Sequence, residues 1–154
     1  MKIQIEEGKN HSLYAYKDDE LLFYSTIKFY WNKRIIKIFD KNNELILEVK
    51  SKMIFCEAKY SFLFQNEDLA KNIMKINCDE IHFGENQYLN RKKDDFFSLN
   101  LNGSYFLKEI KIGEIKQKWW RSKKKILLDL GNNENLKFLE YIIVHILVVN
   151  TDDD

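Results

Sequence analysis

Proline is absent from this 154-residue chain, glycine occurs five times and cysteine twice. Without proline the sharpest chain punctuation is missing, so turns must come from Asn, Asp and the few glycines, which tolerate positive φ. So little glycine leaves little room for phosphate-cradling loops, and neither G-x-G-x-x-G nor G-x-x-x-x-G-K-[ST] occurs. Cys56 and Cys78 stand in no C-x-x-C arrangement, so two buried thiols are expected rather than a disulfide. Arginine is scarce too, three against 22 lysines; with 15 Asn and 18 Ile this suggests an AT-rich coding genome, and the lysine bias is not read as a functional signal. There is no excess of charge of either sign. The formal net charge is +1, which disfavours a dedicated nucleic-acid binder, for which a pI above about 9 is expected. The opening Met1-Lys2-Ile3-Gln4-Ile5-Glu6-Glu7 has no apolar h-region, so a cytoplasmic location is expected. The sequons at Asn10-His11-Ser12 and Asn102-Gly103-Ser104 are then read as chance.

What the chain does have is apolar and aromatic content at the level of one globular domain, expected to span residues 1–154. Hydrophobic residues make up 45%, charged residues 32% and aromatics 14%, and the Ile and aromatic enrichment favours strands. Most of the sequence alternates with period two. Leu21, Phe23, Ile27, Phe29 and Trp31 fall on one face of a strand, and Leu45, Leu47 and Val49 on one face of another. Arg34 to Phe39 reads as a strand closed by the turn Asp40-Lys41-Asn42-Asn43, and Tyr60, Phe62 and Phe64 continue the alternation. Phe97, Leu99 and Leu101 run into Asn102-Gly103, a hairpin signal, and Tyr105 to Ile110 leave it. Lys111 to Lys118 and Lys125 to Leu130 add further strands. Asn66 to Met74 reads instead as a short helix, with Leu69, Ile73 and Ile76 at helical spacing behind an Asn66 cap. Leu136 to Val149 is apolar around nearly its whole circumference, interrupted by Lys137, Glu140 and His145. At 14 residues, with a Glu and a His inside, it falls short of the roughly 20 apolar residues that span a bilayer, so no transmembrane segment is expected. A buried strand pair is one rival. A helix enclosed by sheet is the reading preferred: a closed antiparallel β-barrel of about ten to twelve strands around a buried C-terminal helix, Asn135–Val149.

Three segments carry a resemblance. Phe39-Asp40-Lys41-Asn42-Asn43-Glu44-Leu45-Ile46-Leu47-Glu48-Val49-Lys50 resembles the early D-x-x-G-x-x-L hairpin of the LURP-one-related proteins, with Asn43 where that pattern has Gly. Ile112-Gly113-Glu114-Ile115-Lys116-Gln117-Lys118-Trp119-Trp120 is similar to their G-x-I-x-[KR]-x-W strand, and Phe138 to Asp154 to their core helix. These proteins belong to the tubby C-terminal-like superfamily. The resemblance implies a barrel around a helix. It places this chain beside phosphoinositide-binding tubby domains, phospholipid scramblases and many bacterial members without an assigned activity. No lipid-binding residue of tubby domains maps onto this sequence.

Catalytic chemistry finds little purchase. G-x-S-x-G and H-E-x-x-H are missing, and His11, His82 and His145 lie far apart. Glu80 and His82 share one side of a strand and need a third ligand to hold a metal; a solvated strand end is the simpler reading. His145 reads as a core histidine bonded to a backbone carbonyl or a Tyr rather than a pH switch. Asp94-Asp95 reads as a charged loop tip. The expectation is therefore a protein that is not an enzyme and needs no metal or cofactor. One segment stands out for binding: Lys108 to Lys125 gathers Lys108, Lys111, Lys116, Lys118, Arg121, Lys123, Lys124 and Lys125 against Glu109 and Glu114, around Trp119-Trp120. Cations beside indole rings suit an anionic phospholipid surface, and Lys116, Lys118, Trp119, Trp120, Arg121, Lys123, Lys124 and Lys125 are the candidate residues of a peripheral-membrane module. A nucleic-acid backbone would suit the same pattern, as would a solvated loop with one Trp plugging the core. A protein-interaction or accessory scaffold is the alternative role. Asp18-Asp19-Glu20 and Asp152-Asp153-Asp154 are expected to balance the charge elsewhere, as solvated ends.

Overall fold

A computed structural model of the chain describes residues 1–55, 57–94, 102–118 and 123–152, with the backbone alone at Lys118. The first six strands are β1 (Lys2–Glu7), β2 (Leu13–Lys17), β3 (Glu20–Tyr30), β4 (Lys33–Asp40), β5 (Leu45–Ile54) and β6 (Glu57–Gln65). The second six are β7 (Ile73–Ile76), β8 (Glu80–Phe83), β9 (Gln87–Lys93), β10 (Gly103–Leu107), β11 (Ile110–Lys118) and β12 (Lys125–Asp129). A 3₁₀ segment, Asn133–Phe138, leads into the helix α1 (Leu139–Asp152).

Each set of six is an antiparallel meander, and the two meanders join where β1 pairs with β12, Ile3 opposite Leu128 and Ile5 opposite Ile126. One twelve-stranded sheet results, running from β6 through β1 and β12 to β7. It curls into a nearly closed barrel, with β6 and β7 on either side of a seam. Gln65 stitches one end of that seam: its Nε2 donates to the carbonyls of Ala70 and Ile73, 2.8 Å each.

Alternation puts Ile3, Ile5, Ala15, Ile36, Ile38, Leu47, Val49, Ile81, Leu89, Ile115, Ile126 and Leu128 inside, where they surround α1. Because sheet lies on every side of the helix, no polar face is called for, and residues 142–152 are all buried. Ile143 and Leu147 are at 0% exposure, as a helix enclosed by sheet requires. Among the described residues no helix is long and apolar enough to cross a membrane.

Four local expectations need correction. Residues 66–74 do not form a helix. Asn66 Oδ1 does accept from the N–H groups of Leu69 and Ala70, at 3.1 and 2.8 Å, but a single 3₁₀ turn, Ala70–Asn72, follows before β7 begins. A register shift between Ile73 and Lys75 leaves Ile73 and Ile76 both inward, which mimics helical spacing in a strand. Asn102-Gly103 is not the hairpin turn either. Gly103 lies in β10, opposite Lys93 and Ile115, and a Cβ there would sit 2.8 Å from the Lys92 carbonyl oxygen. Close strand approach requires this glycine, while the turn is Lys108-Glu109, with Lys108 at φ 57°. Phe97, Leu99 and Leu101 lie outside the described residues. The inward face of β3 ends at Ile27; Phe29 and Trp31 are exposed because the hairpin projects past the barrel. Finally, Asp152 is not a solvated end: it is buried against Arg34 and Ser51. Asp153 and Asp154 lie outside the described residues, as does Cys56, while Cys78 is half-buried in the β7–β8 turn.

Candidate functional site

Strand direction decides which connections share an end of the barrel. β1, β3, β5, β7, β9 and β11 all run toward one end, as does α1. That end gathers the β1–β2 turn, the hairpin tips after Tyr30 and Ile54, the β7–β8 turn and the connections that leave Lys93 and Lys118. The last turn of the helix is anchored inside it. Arg34 Nη1 donates to the Asp152 carboxylate at 3.0 Å and to its carbonyl, and Ser51 Oγ donates to the same carboxylate at 2.5 Å. Thr151 and Ser25 share a hydroxyl hydrogen bond of 2.6 Å, and Arg91 Nη1 reaches Asn150 Oδ1 at 3.1 Å. Cations thus converge on the negative end of the helix dipole.

The candidate basic segment is distributed by this geometry rather than concentrated. Lys108 and Lys111 lie at the opposite end, and Lys111 is hydrogen-bonded to Glu114, which holds that carboxyl below its usual range. Lys116 is exposed, 3.9 Å from Glu114. Lys124 turns inward: its Nζ donates to the Asn150 carbonyl at 3.1 Å, and its N–H to Glu7 Oε2 at 2.9 Å. Lys125 Nζ lies 3.0 Å from Glu6. Lys123 is exposed. Trp119, Trp120 and Arg121 lie outside the described residues, as does the side chain of Lys118.

Exposed aromatic tips absent from the sequence reading share this end. Trp31 and Phe55 are 104% and 100% exposed, with Met53 beside Phe55 at 59%. Lys28, Lys52 and Lys59 are exposed around them, and Lys33 lies over the Tyr30 ring, 5.3 Å from its centroid. A continuous path links these tips to the basic segment. The Phe29 and His11 rings meet edge-on at 5.9 Å, His11 Nδ1 lies 3.6 Å from Glu7, and Glu7 accepts from Lys124. The sequence does not mark either tip: alternation puts Trp31 on a strand face, and Met53-Ile54-Phe55 has no turn composition.

The opposite end is of mixed charge, with Asp18, Asp19, Glu44, Glu85 and Glu109 exposed on its turns among Lys17, Lys41 and Lys108. A cleft of about 560 Å³ opens there among Asp40, Glu44, Asp68 and Glu140, with Lys41 and Lys137 also in its lining. Asp40 is committed to its own turn, accepting from the N–H groups of Asn42 and Glu44 at 2.9 Å each.

The candidates for chemistry resolve as structural groups. His145 is at 0% exposure, Nε2 donating to the Asn77 carbonyl at 2.8 Å and Nδ1 accepting from Tyr105 Oη at 2.5 Å. Burial holds its pKa down at about 3 and pushes the Tyr105 phenol up. Glu80 and His82 pair with each other at 2.9 Å, which holds the Glu80 carboxyl down; the His82 ring stacks on Tyr88. Asp94 accepts from Ser104, and Asp95 lies outside the described residues. Among the described residues no three His, Cys, Asp or Glu side chains converge as a metal site would require.

Comparison with protein-family models, curated proteins and solved structures finds no match to this chain.

Proposed function

We propose that this protein is a non-enzymatic binding module that docks its basic end on anionic phospholipid surfaces. The observation that carries the reading is the gathering of exposed lysines without carboxylate partners at one end of the barrel. Lys28, Lys52, Lys59, Lys116 and Lys123 are exposed toward one end, while the turns of the other mix exposed carboxylates with Lys17, Lys41 and Lys108. Among the described residues, Lys28, Lys52, Lys59 and Lys123 have no carboxylate within ion-pair distance. Each lysine near an anionic membrane contributes on the order of 1 kcal/mol, so four or five on one end suffice for reversible docking although the net charge is +1. A barrel around a helix is also what the resemblance to the tubby C-terminal-like superfamily implies, and that relationship is part of the proposal.

Cosedimentation with phosphatidylcholine vesicles, with and without phosphatidylserine, tests it. Binding is expected only with phosphatidylserine and is expected to weaken as salt shortens the Debye length below about 10 Å. Replacing Lys28, Lys52 and Lys123 together by Glu releases the protein while its circular dichroism is unchanged. Lys124 and Lys125 are left alone in this variant because they hold Asn150 and Glu6. Equal sedimentation of the variant and the wild type would remove the support for lipid docking. A specific protein partner recovered by both alike would favour the scaffold role.

A further inference from the structure

We infer that Trp31 and Phe55 are paired membrane anchors, two hairpin tips that enter the bilayer interface while the lysines beneath them meet the phosphates. The inference rests on the docking reading and adds to it a mode of attachment, insertion rather than surface charge alone.

Three observations carry it. The first is height. Arg34 and Ser51 face each other across β4 and β5, Trp31 lies three residues beyond that rung on one hairpin and Phe55 four residues beyond it on the next. At about 3.3 Å per residue both tips stand roughly 10–13 Å above a common level, and both are fully exposed. Two rings at one height on adjacent hairpins suit a planar apolar layer.

The second is backbone conformation. Ile54 pairs with Glu57, so Phe55 opens a two-residue turn, and its φ is 51°. Such turns favour Asn, Asp or Gly, and a bulky residue in the left-handed region is strained. Neither turn chemistry nor packing explains a phenylalanine here, since its side chain is fully exposed.

The third is charge. Lys52 and Lys59 stand directly opposite each other on this hairpin and are both exposed. Like charges in register repel, and an anionic surface at their level relieves the repulsion. Lys33, opposite Tyr30, occupies the matching level of the other hairpin, and Lys28, opposite Ile35, lies two rungs below it. Aromatic tips over a ring of lysines reproduce the order of layers in a membrane interface, hydrocarbon boundary above and phosphate below.

The test compares single variants on vesicles of phosphatidylcholine mixed with phosphatidylserine. Phe55→Asn suits the left-handed turn, so its thermal midpoint is expected to rise while its vesicle affinity drops about tenfold. Trp31→Ala is expected to lose a similar factor at unchanged stability. With Trp119 and Trp120 replaced by Phe, the emission of Trp31 shifts to the blue on binding and is quenched by brominated acyl chains. If the two tip variants bind like wild type and Trp31 emission does not move, while reversing Lys28, Lys52 and Lys123 still abolishes binding, insertion falls and docking stands. If wild type fails to bind these vesicles even at low salt, both fall. A wild-type dimer in solution that Phe55→Asn converts to monomer would assign the tips to a second copy of the chain and overturn the inference.

Discussion

His145 sits in the middle of α1 with both ring nitrogens engaged, one by the Asn77 carbonyl and one by the Tyr105 hydroxyl. The partners fix the tautomer, and burial resists a second proton, so its pKa is held near 3 against an ordinary 6.5. Above 6.5 the folded and unfolded chains are both neutral at this site, and it adds no pH dependence. Below 6.5 the unfolded chain takes up a proton that the folded one refuses, so stability falls as pH drops toward 3, by up to about 1.4 kcal/mol per pH unit. Gln in place of His145 can donate to Asn77 and accept from Tyr105 without titrating. Urea midpoints measured from about pH 6 to about pH 4 should therefore fall less steeply for His145→Gln than for wild type; parallel slopes would contradict a neutral buried imidazole. The bonding pattern was open to sequence reasoning, because a lone His on an all-apolar helix has few alternatives. Asn43 is a similar case: it stands where the resembled pattern has Gly and adopts φ 62°, a conformation Asn tolerates. Phe55 was not legible, since nothing in Met53-Ile54-Phe55 marks a turn that only backbone strain makes possible.

The helix α1 is held by two different means along its length. Its middle is packed by apolar residues from both meanders, so a carboxylate at Ile143 would be buried without a partner. Ile143→Asp is expected to leave no folded soluble protein, as judged by expression and circular dichroism. Its last turn is fixed by polar contacts. Removing the Asp152 carboxylate takes away the acceptor of Ser51 and the charge partner of Arg34, which keeps its bond to the Asp152 carbonyl, and Asp152→Ala is expected to cost about 3 kcal/mol in urea unfolding. The helix was legible because an apolar run of this length admits few homes outside a core. Its polar end was not: Asp152-Asp153-Asp154 reads as a solvated tail, and only the position of Arg34 on β4 reveals a buried pair. Strands announced themselves by alternation, whereas the two misread connections share a cause. A register shift made Ile73 and Ile76 look helical, and a close strand contact at Gly103 looked like a turn. Gly103→Ala forces Cβ against the Lys92 carbonyl, which flexible side-chain movement cannot relieve, and is expected to lower stability by about 2 kcal/mol in the same assay.

Along the whole barrel, one end offers exposed lysines beneath two aromatic tips, and the other mixes exposed carboxylates with lysines and has no fully exposed aromatic among the described residues. A molecule built this way meets an anionic bilayer with a single face, so bound protein should coat vesicles without linking them. The polarity can be undone at the far end by three substitutions on exposed turn residues, Glu44→Lys, Glu85→Lys and Glu109→Lys. None of these carboxylates has a described ion-pair partner or lies in the core, so folding is expected to be unchanged. The variant then presents an excess of cations over carboxylates at both ends and should cluster phosphatidylserine-containing vesicles, seen as turbidity, at low salt. The new end lacks tips to insert, so its hold is purely electrostatic, and clustering should dissolve as salt shortens the Debye length toward about 8 Å while single-ended binding persists longer. Turbidity from the wild-type protein would mean that docking is not confined to the basic end, and none from the variant that charge alone does not dock an end of the barrel.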